Sequence, residues 1–388
     1  MTSIRITTTC CLLFVAAAQV QAAPQIIPPP PTLSAKAFLL MDAGSGTVLL
    51  EQNADEQMAP ASLTKMMTSY IVVGDIEKGK LKETDEALVS DDAWKRGGAG
   101  TEGSTMFLDP RSRVPVIDLL RGVIIQSGND ASIVLAQHVA GSEEAFADIM
   151  NQQAKALGMT NTHFANATGL PDDNHKTTAR DLAILARAVI NDHPAHYPLY
   201  AERWYDYHGH NQPNRNRLLF QDSSVDGLKT GHTQEAGYCL VASSKKQDMR
   251  LITVVLGSES EKSRTVESQS LLAYGFRNYE GASLYTQAQE LAQARIWKGK
   301  VNKLGLGVGK DLNVTIQRGA KERLSIQTVV NSRIVAPITQ GQVLGEIHIS
   351  LDGKDIYKGP LVAQAAVDSA GFFARMWDAL LMMFGSAQ

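Results

Sequence analysis

Residues 60–73 read PASLTKMMTSYIVV and predict the start of a buried helix. Pro60 and Ser62 suit the first turn of a helix, and the apolar residues that follow suit a protein core. Lys65 lies three positions after Ser62. Because an ammonium group is costly to bury unless it is paired or has lost its proton, a lysine at this position needs a chemical explanation.

A hydroxyl and an amine three residues apart lie on one face of a helix. A partly desolvated lysine loses some of its preference for the charged form, so its pKa can fall from about 10.4 toward neutrality. A neutral Lys65 can accept the hydroxyl proton of Ser62, which makes Ser62 a candidate nucleophile. Taken alone, the pattern equally fits a capping serine beside a solvated lysine.

Two further segments carry polar groups suited to the same chemistry. Ser127-Gly-Asn129 interrupts two apolar helical stretches within residues 116–141, although by itself it is simply a turn. Lys229-Thr230-Gly231 lies in DGLKTGHT, directly before a predicted strand. Its lysine and threonine suit a substrate carboxylate, and its glycine leaves room for a substrate backbone. An ordinary hairpin with an exposed lysine is the alternative.

Together, the three segments follow the order S-x-x-K, S-x-N and K-T-G that is typical of penicillin-binding proteins and class A β-lactamases. The chain resembles the low-molecular-mass penicillin-binding proteins that are D-alanyl-D-alanine carboxypeptidases. This resemblance extends from residue 37 through the C-terminal helix. The segments that carry it are PASLTKMMT, QSGNDA, QPNRN and VDGLKTGHT, together with the Gly-rich loop before GSTMFLDP.

The resemblance implies roles for the catalytic residues. Ser62 would attack the carbonyl between the two terminal D-alanines of a peptidoglycan stem peptide, forming an acyl-enzyme, and Lys65 would accept its proton. Ser127 would relay a proton to the leaving D-alanine. Asn129 would bind the peptide amide and brace Lys65, while Lys229 would hold Ser127 and add positive potential.

The resemblance also implies a substrate-binding set. Thr230 would contact the substrate beside Gly231, and the backbone N–H groups of Ser62 and His232 would form an oxyanion hole. Arg215, in QPNRN, and Arg264 match family arginines near the substrate carboxylate. For both arginines, a surface salt bridge is the alternative.

The fold class predicted is α/β (α+β). AFLLMD and TVLLEQ flank a Gly-Ser-Gly turn, and YCLVASS and RLITVVLGS flank KKQD, so two strand pairs bracket a helical region. The resemblance implies a penicillin-binding-protein/β-lactamase-like transpeptidase domain over residues 33–278, in which helices flank an antiparallel sheet. Short strand-like runs broken by Gly and Pro predict a small β-sandwich domain over residues 279–370.

Both ends of the chain point to a location. Residues 1–22 have the layout of a secretory signal peptide, so we expect export. Residues 371–388 include GFFARMWDALLMMF, whose apolar residues form one stripe on a helix. Such a helix suits the plane of a membrane interface, or else packs back on the small domain. We expect a peripheral protein on the periplasmic face of the inner membrane, bound through apolar burial because Asp378 opposes Arg375.

The composition of the chain argues against several classes of function. The chain of 388 residues is 44% hydrophobic and has a formal net charge of -3 without a long basic run, which argues against nucleic-acid binding. Cys239 is the one cysteine beyond the predicted signal segment and suits a buried strand. His, Cys and acidic residues show no metal-ligand spacing, so we predict no metal and no cofactor.

Three rival functions remain to be weighed. Class A β-lactamases use a glutamate for deacylation, but the corresponding stretch, NTHFANATGLPDDNH, contains none and has His163 near that place. We therefore expect β-lactam antibiotics to act as slowly released covalent inhibitors. The complete set of motif residues argues against a silent binding protein. A D,D-endopeptidase of cross-linked peptidoglycan stays open.

Overall fold

The computed structural model describes residues 28–101 and 103–384. The predicted signal segment, residues 1–22, lies outside the described residues. The α-helices are α1 (Lys65–Glu77), α2 (Asp91–Gly97), α3 (Val116–Arg121), α4 (Asn129–Ala140), α5 (Glu143–Leu157), α6 (Ala179–Asp192), α7 (Leu218–Gln221), α8 (Glu261–Asn278) and α9 (Phe372–Phe384). The strands are β1 (Ala37–Asp42), β2 (Val48–Gln52), β3 (Glu86–Leu88), β4 (Arg113–Pro115), β5 (Trp204–Tyr207), β6 (His210–Pro213), β7 (Val225–Thr233), β8 (Gly237–Lys246), β9 (Met249–Ser258), β10 (Tyr279–Tyr285), β11 (Ala292–Trp297), β12 (Lys303–Gly307), β13 (Leu312–Gln317), β14 (Leu324–Val330), β15 (Ile334–Val335), β16 (Val343–Leu351) and β17 (Lys354–Ala363).

A five-stranded antiparallel sheet of order β2-β1-β9-β8-β7 forms the centre of the larger domain. The predicted hairpin β1–β2 and the predicted pair β8–β9 are both confirmed. Strand β1 lies between β2 and β9, so the start of the domain is hydrogen-bonded to a strand near its end. This closure accounts for the long helical segment between the two strand groups.

Alternate residues of β1 face two different layers, as the period of a strand requires. Leu39 and Met41 pack into the core formed with the helices that lie between β2 and β7, which include α1, α4, α5 and α6. Phe38 and Leu40 face the other way and pack near Leu271 and Leu272 of α8. The sheet is therefore covered by helices on both faces, which explains why every residue of β1 is buried.

The smaller domain is built from strands, as predicted. Its six-stranded sheet has the order β14-β16-β17-β12-β11-β15, and β10 and β13 form a second sheet. Val314 and Ile316 of β13 share a core with Ile347 and Ile349 of β16, so the two sheets pack face to face. Helix α8 ends at Asn278 and β10 begins at Tyr279, where the sequence predicts the domain boundary.

Helix α9 carries large apolar residues that are exposed. Phe372 and Phe373 are 73% and 79% exposed, and Met376 and Trp377 are also exposed. A polar contact joins the helix to the small domain, because the backbone N–H of Lys298 donates to Asp378 Oδ2 at 2.5 Å. Across the part of the chain that the structure describes, no helix has both the length and the apolar character to cross a bilayer.

Candidate active site

Ser62 and Lys65 meet through a tight turn rather than through a regular helix. Residues 61–64 form a 3₁₀ turn, and α1 begins only at Lys65. Because side chains at positions i and i+3 eclipse in a 3₁₀ turn, this geometry aligns the two groups directly. The Lys65 Nζ lies 3.2 Å from the Ser62 Oγ. The sequence predicts the first turn of a continuous helix here, whereas the structure has a 3₁₀ turn before α1.

The Lys65 amine is buried and fully surrounded by polar partners. The residue is only 1% exposed. Besides Ser62, its Nζ contacts the Asn129 Oδ1 at 2.7 Å and the backbone oxygen of Thr168 at 2.6 Å. Burial lowers the pKa of Lys65 to about 7, against the opposing influence of the Asp130 and Glu143 carboxylates.

The three partners suit a neutral amine. A neutral lysine has two N–H donors and one lone pair. The Asn129 Oδ1 and the Thr168 backbone oxygen can only accept, so they take the two N–H groups. The lone pair is then left for the hydroxyl proton of Ser62. The arrangement can therefore move a proton from the serine to the lysine.

Ser127 adopts a backbone conformation that is rare for a residue with a side chain. Its φ is 63° and its ψ is 31°, in the left-handed region, directly after a π-helical turn over residues 122–126. Such conformations persist where the surroundings over-determine them, and they cluster at functional sites. The turn directs the Ser127 Oγ toward the Lys229 Nζ, 2.8 Å away, while Asn129 starts α4 and reaches Lys65.

Lys229, Thr230 and Gly231 lie inside β7, at the edge of the central sheet. The sequence predicts that this segment lies directly before a strand, which is correct for β8, but it misses that the segment is itself a strand, whose ladder with β8 continues through Gly231, opposite Cys239. A glycine in a strand often marks a close backbone approach. Here a Cβ on Gly231 would come within 3.1 Å of the Pro60 oxygen, so its absence lets β7 pack against the turn that carries Ser62.

Lys229 is a second buried lysine. It is 2% exposed, and its Nζ donates to the Ser127 Oγ and to the Thr230 oxygen. Burial lowers the pKa of Lys229 well below its usual range, and the cations of Lys65, Arg215 and Arg264 add to this effect. A negatively charged ligand among these groups would offset that repulsion.

A cavity of about 670 Å³ opens above these residues. Eight of the ten predicted site residues line it, and Lys65 and Lys229 lie buried beneath it. The eight are Ser62, Ser127, Asn129, Arg215, Thr230, Gly231, His232 and Arg264.

The two predicted arginines have different surroundings. Arg264 is buried, donates to the Gly231 oxygen at 3.1 Å and lies over the ring of Tyr238. Arg215 is exposed and contacts Gln212 at 3.4 Å. Within residues 28–101 and 103–384, neither arginine has a carboxylate within ion-pair distance. Both arginines line the cavity.

Sequence reasoning missed the loop over residues 166–169. Its Thr168 oxygen contacts Lys65, and the Asn166 side chain accepts from the N–H groups of Thr168 and Gly169. Gly169 has a φ of 82°, and a Cβ there would meet the Ala61 oxygen at 1.8 Å. The pair Gly169-Leu170 before a proline was the one available signal for a turn at this place.

His175 was also missed, and it buttresses the same turn. Its Nε2 lies 2.9 Å from the Thr64 Oγ1, and the residue is 2% exposed. Burial lowers the pKa of His175 to about 4, and the charge of Lys65 acts in the same direction. The imidazole is therefore neutral at pH 7. In the described residues, no group of three or more His, Cys, Asp or Glu side chains is placed to hold a metal ion.

We predict that His175 makes folding stability depend on pH. Its folded pKa lies below the unfolded value of about 6.5, so the unfolded chain takes up the proton first as the pH falls. The stabilisation is complete above pH 6.5 and is lost progressively toward pH 4, by up to about 3 kcal/mol. Urea unfolding of the wild type and of His175→Gln across pH 4–7.5 should show a stability difference that changes with pH. A difference that stays constant across this range would contradict the assignment.

Comparisons with known proteins extend over both domains. A family model described as D-alanyl-D-alanine carboxypeptidase matches residues 24–260, and one described as the C-terminal domain of penicillin-binding protein 5 matches residues 279–369. The D-alanyl-D-alanine carboxypeptidase DacC of Escherichia coli (strain K12) is 46% identical over 356 residues, which cover 91% of this chain and 89% of that protein.

Solved structures give the same result. Penicillin binding protein 5 from Haemophilus influenzae has a TM-score of 0.81 and 40% sequence identity, covering 88% of this chain and 100% of that one. Penicillin-Binding Protein D2 from Listeria monocytogenes, solved in an ampicillin-bound form, has a TM-score of 0.58 and 30% identity. That match covers 64% of this chain and 100% of the other.

Proposed function

The chain belongs to the D-alanyl-D-alanine carboxypeptidase family, and we propose that Ser62 and Lys65 perform the reaction of this family here. The protein is a serine-type carboxypeptidase that removes the terminal D-alanine from peptidoglycan stem peptides. The observation that carries the assignment of roles is the Lys65 amine, buried and directed at the Ser62 Oγ from 3.2 Å. Among the described residues that line the cavity, Ser127 is the other one whose hydroxyl contacts an amine of lowered pKa, that of Lys229.

The acylation step follows from these contacts. The Ser62 Oγ attacks the carbonyl carbon of the bond between the two D-alanines, and its proton passes to the Lys65 Nζ. The carbonyl oxygen becomes negative and accepts from the backbone N–H groups of Ser62 and His232, each worth about 3–4 kcal/mol. Ser127, which Lys229 holds in place, relays a proton to the leaving amine. Water then hydrolyses the acyl-enzyme and Lys65 again serves as base.

The terminal carboxylate of the substrate supplies the charge that this cavity lacks. Thr230 offers a hydroxyl, and Arg215 and Arg264 offer guanidinium groups. A carboxylate bound between them would also stabilise the protonated form of Lys229, whose pKa burial and neighbouring cations lower. Substrate binding would thereby restore the positive potential next to Ser127.

We predict that Ser62→Ala releases no free D-alanine from a soluble pentapeptide that ends in D-Ala-D-Ala. Loss of the nucleophile should lower turnover at least about 10³-fold and abolish covalent labelling by penicillin. Chromatographic assay of D-alanine checks the first result, and mass spectrometry of the intact protein checks the second. Ser270→Ala is the matched control and should behave as the wild type, because Ser270 is a partly exposed serine of α8 that does not line the cavity. Unchanged release by Ser62→Ala would overturn the mechanism.

We predict that kcat/KM rises with pH and reaches half of its plateau near pH 7. Lys65 must be neutral to accept a proton, and its pKa is about 7. Below this value each unit of pH removes about nine-tenths of the active form, so the slope of log kcat/KM is about 1. A pH series with the same pentapeptide measures this limb. A limb near pH 10, or none between pH 5 and 9, would show that Lys65 is not the base.

We also infer that the protein is exported and lies on the periplasmic face of the inner membrane, attached through α9. The exposed side chains of Phe372, Phe373 and Trp377 support this placement, since a stripe of large apolar residues is suited to the interface of a bilayer. Helix α9 itself has little positive charge. Arg295 and Lys303 of the small domain line a cavity together with Trp377, so these cations lie next to the apolar stripe.

We predict that a chain lacking residues 371–388 keeps its activity on the soluble pentapeptide and no longer sediments with lipid vesicles. Trp377→Glu in the full chain should weaken sedimentation in the same direction, because it places a charge in the apolar stripe. Val329→Glu is the matched control, as Val329 is an exposed apolar residue of β14. Truncated protein that still sediments with vesicles would rule out α9 as the anchor.

A further inference from the structure

The direction of the Lys65 lone pair depends on the carbonyl group of Thr168. That oxygen occupies one of the two N–H positions of the neutral amine, at 2.6 Å. The residue before it, Ala167, is held from outside the loop at both backbone groups. Its oxygen accepts from the Thr68 hydroxyl of α1 at 2.8 Å, and its N–H donates to Glu143 Oε1 of α5 at 3.0 Å.

Glu143 connects this loop to a distant helix. Glu143 is only 5% exposed. Its second carboxylate oxygen, Oε2, accepts from the Nη2 of Arg96 in α2 at 2.6 Å. Arg96 also contacts Asp92 on its own helix, but more loosely, at 3.3 Å. The Arg96 side chain is 43% exposed, so solvent reaches the arginine but not the carboxylate.

We propose that Glu143 and Arg96 are positioning residues for the catalytic base: Glu143 fixes the loop whose Thr168 oxygen orients Lys65, and Arg96 neutralises the Glu143 charge that Lys65 experiences. The proposal rests on the role of Lys65 as the base. Glu143 accepts from the Ala167 N–H through one oxygen, while Arg96 offsets its negative charge at the other. A buried carboxylate without its cation would favour the protonated, inactive amine.

Several charged groups act on Lys65 from the elements around it. Asp130 of α4 and Glu143 of α5 favour its protonated form. Two groups that can be cationic also lie near Lys65. These are Lys229 of β7 and His175, although burial keeps His175 neutral near pH 7.

The two carboxylates differ in their partners. Asp130 accepts from the Thr105 hydroxyl and from the N–H of Met106, and within the described residues no cation contacts it. Glu143 alone has an arginine in contact, so its influence on Lys65 can be changed from the surface.

The test is the acidic limb of kcat/KM for the pentapeptide in Glu143→Gln and Arg96→Gln. Glutamine at position 143 retains an acceptor for the Ala167 N–H and removes the charge, so the limb should move to lower pH by about half a unit. Arg96→Gln leaves the Glu143 charge without its partner, so the limb should move to higher pH by a similar amount. A purely structural role would not produce shifts of opposite sign.

A double-mutant cycle isolates the connection between the two residues. With glutamine at 143 there is no charge to neutralise, so Arg96→Gln should no longer move the limb. Glu143→Ala removes the acceptor as well, and kcat should fall about tenfold through misplacement of the Thr168 carbonyl, whereas Glu143→Gln should retain most of it. Arg111→Gln is the matched control. It removes an exposed ion pair with Asp91, which lies on α2 as Arg96 does, and it should leave the limb in place.

Three outcomes would overturn the proposal: limbs that do not move, limbs that move in the same direction, or an equal effect of Arg96→Gln in the Glu143→Gln background. Arg96 is partly exposed, so its variant is expected to fold, and circular dichroism and the melting temperature check each protein. A failure of the proposed function would appear in the wild type rather than in the variants. A wild type that lacks D-alanine release, or lacks the limb near pH 7, would reject Lys65 as the base, whereas unmoved limbs around an intact wild-type profile reject only the role of Glu143 and Arg96.

Discussion

The Lys65 amine is removed from water, and its hydrogen-bond partners come from three separate parts of the chain. Ser62 belongs to the same turn, Asn129 begins α4, and Thr168 lies in a loop after α5. Burial of an ammonium costs several kcal/mol unless the proton is lost or the charge is compensated. The fold offers acceptors for two N–H groups and a hydroxyl for the lone pair, so the neutral amine is the form that it accommodates best. The basicity needed for catalysis is thus a consequence of packing.

The backbone around this amine is shaped by close approach. Gly169 and Gly231 approach the Ser62 turn from the loop and from β7, and a side chain on either would collide with or crowd the backbone of residues 60 and 61. Ser127 holds a left-handed conformation at the end of a π-helical turn. These features lower intrinsic backbone stability, and the surrounding core of helices and sheet maintains them. Such local strain is common where a site has to be pre-organised.

Much of this arrangement could be predicted from the sequence because it depends on side-chain type and spacing. The Ser62–Lys65 pair, Ser127 with Asn129 and the segment at Lys229 each carry a recognisable pattern, and the β1–β2 and β8–β9 pairs follow from alternation around turns. The Thr168 carbonyl could not be predicted, since every residue has such an oxygen and only the folded loop selects one. The pair Arg96–Glu143 spans 47 positions, which no local pattern connects. The strand through Gly231 was missed because a glycine usually indicates a turn, and only the partner strand β8 shows otherwise.

The most direct measurement is the pKa of the Lys65 amine itself, followed by NMR in protein labelled with ¹³C at the lysine ε carbon and assigned by comparison with Lys65→Arg. The account predicts a titration near pH 7, well below the ordinary lysine value of about 10.4. A Lys65 signal that titrates near the ordinary value would show that the amine is charged at neutral pH. Burial would then not have made it a base, and the proton of Ser62 would need another acceptor.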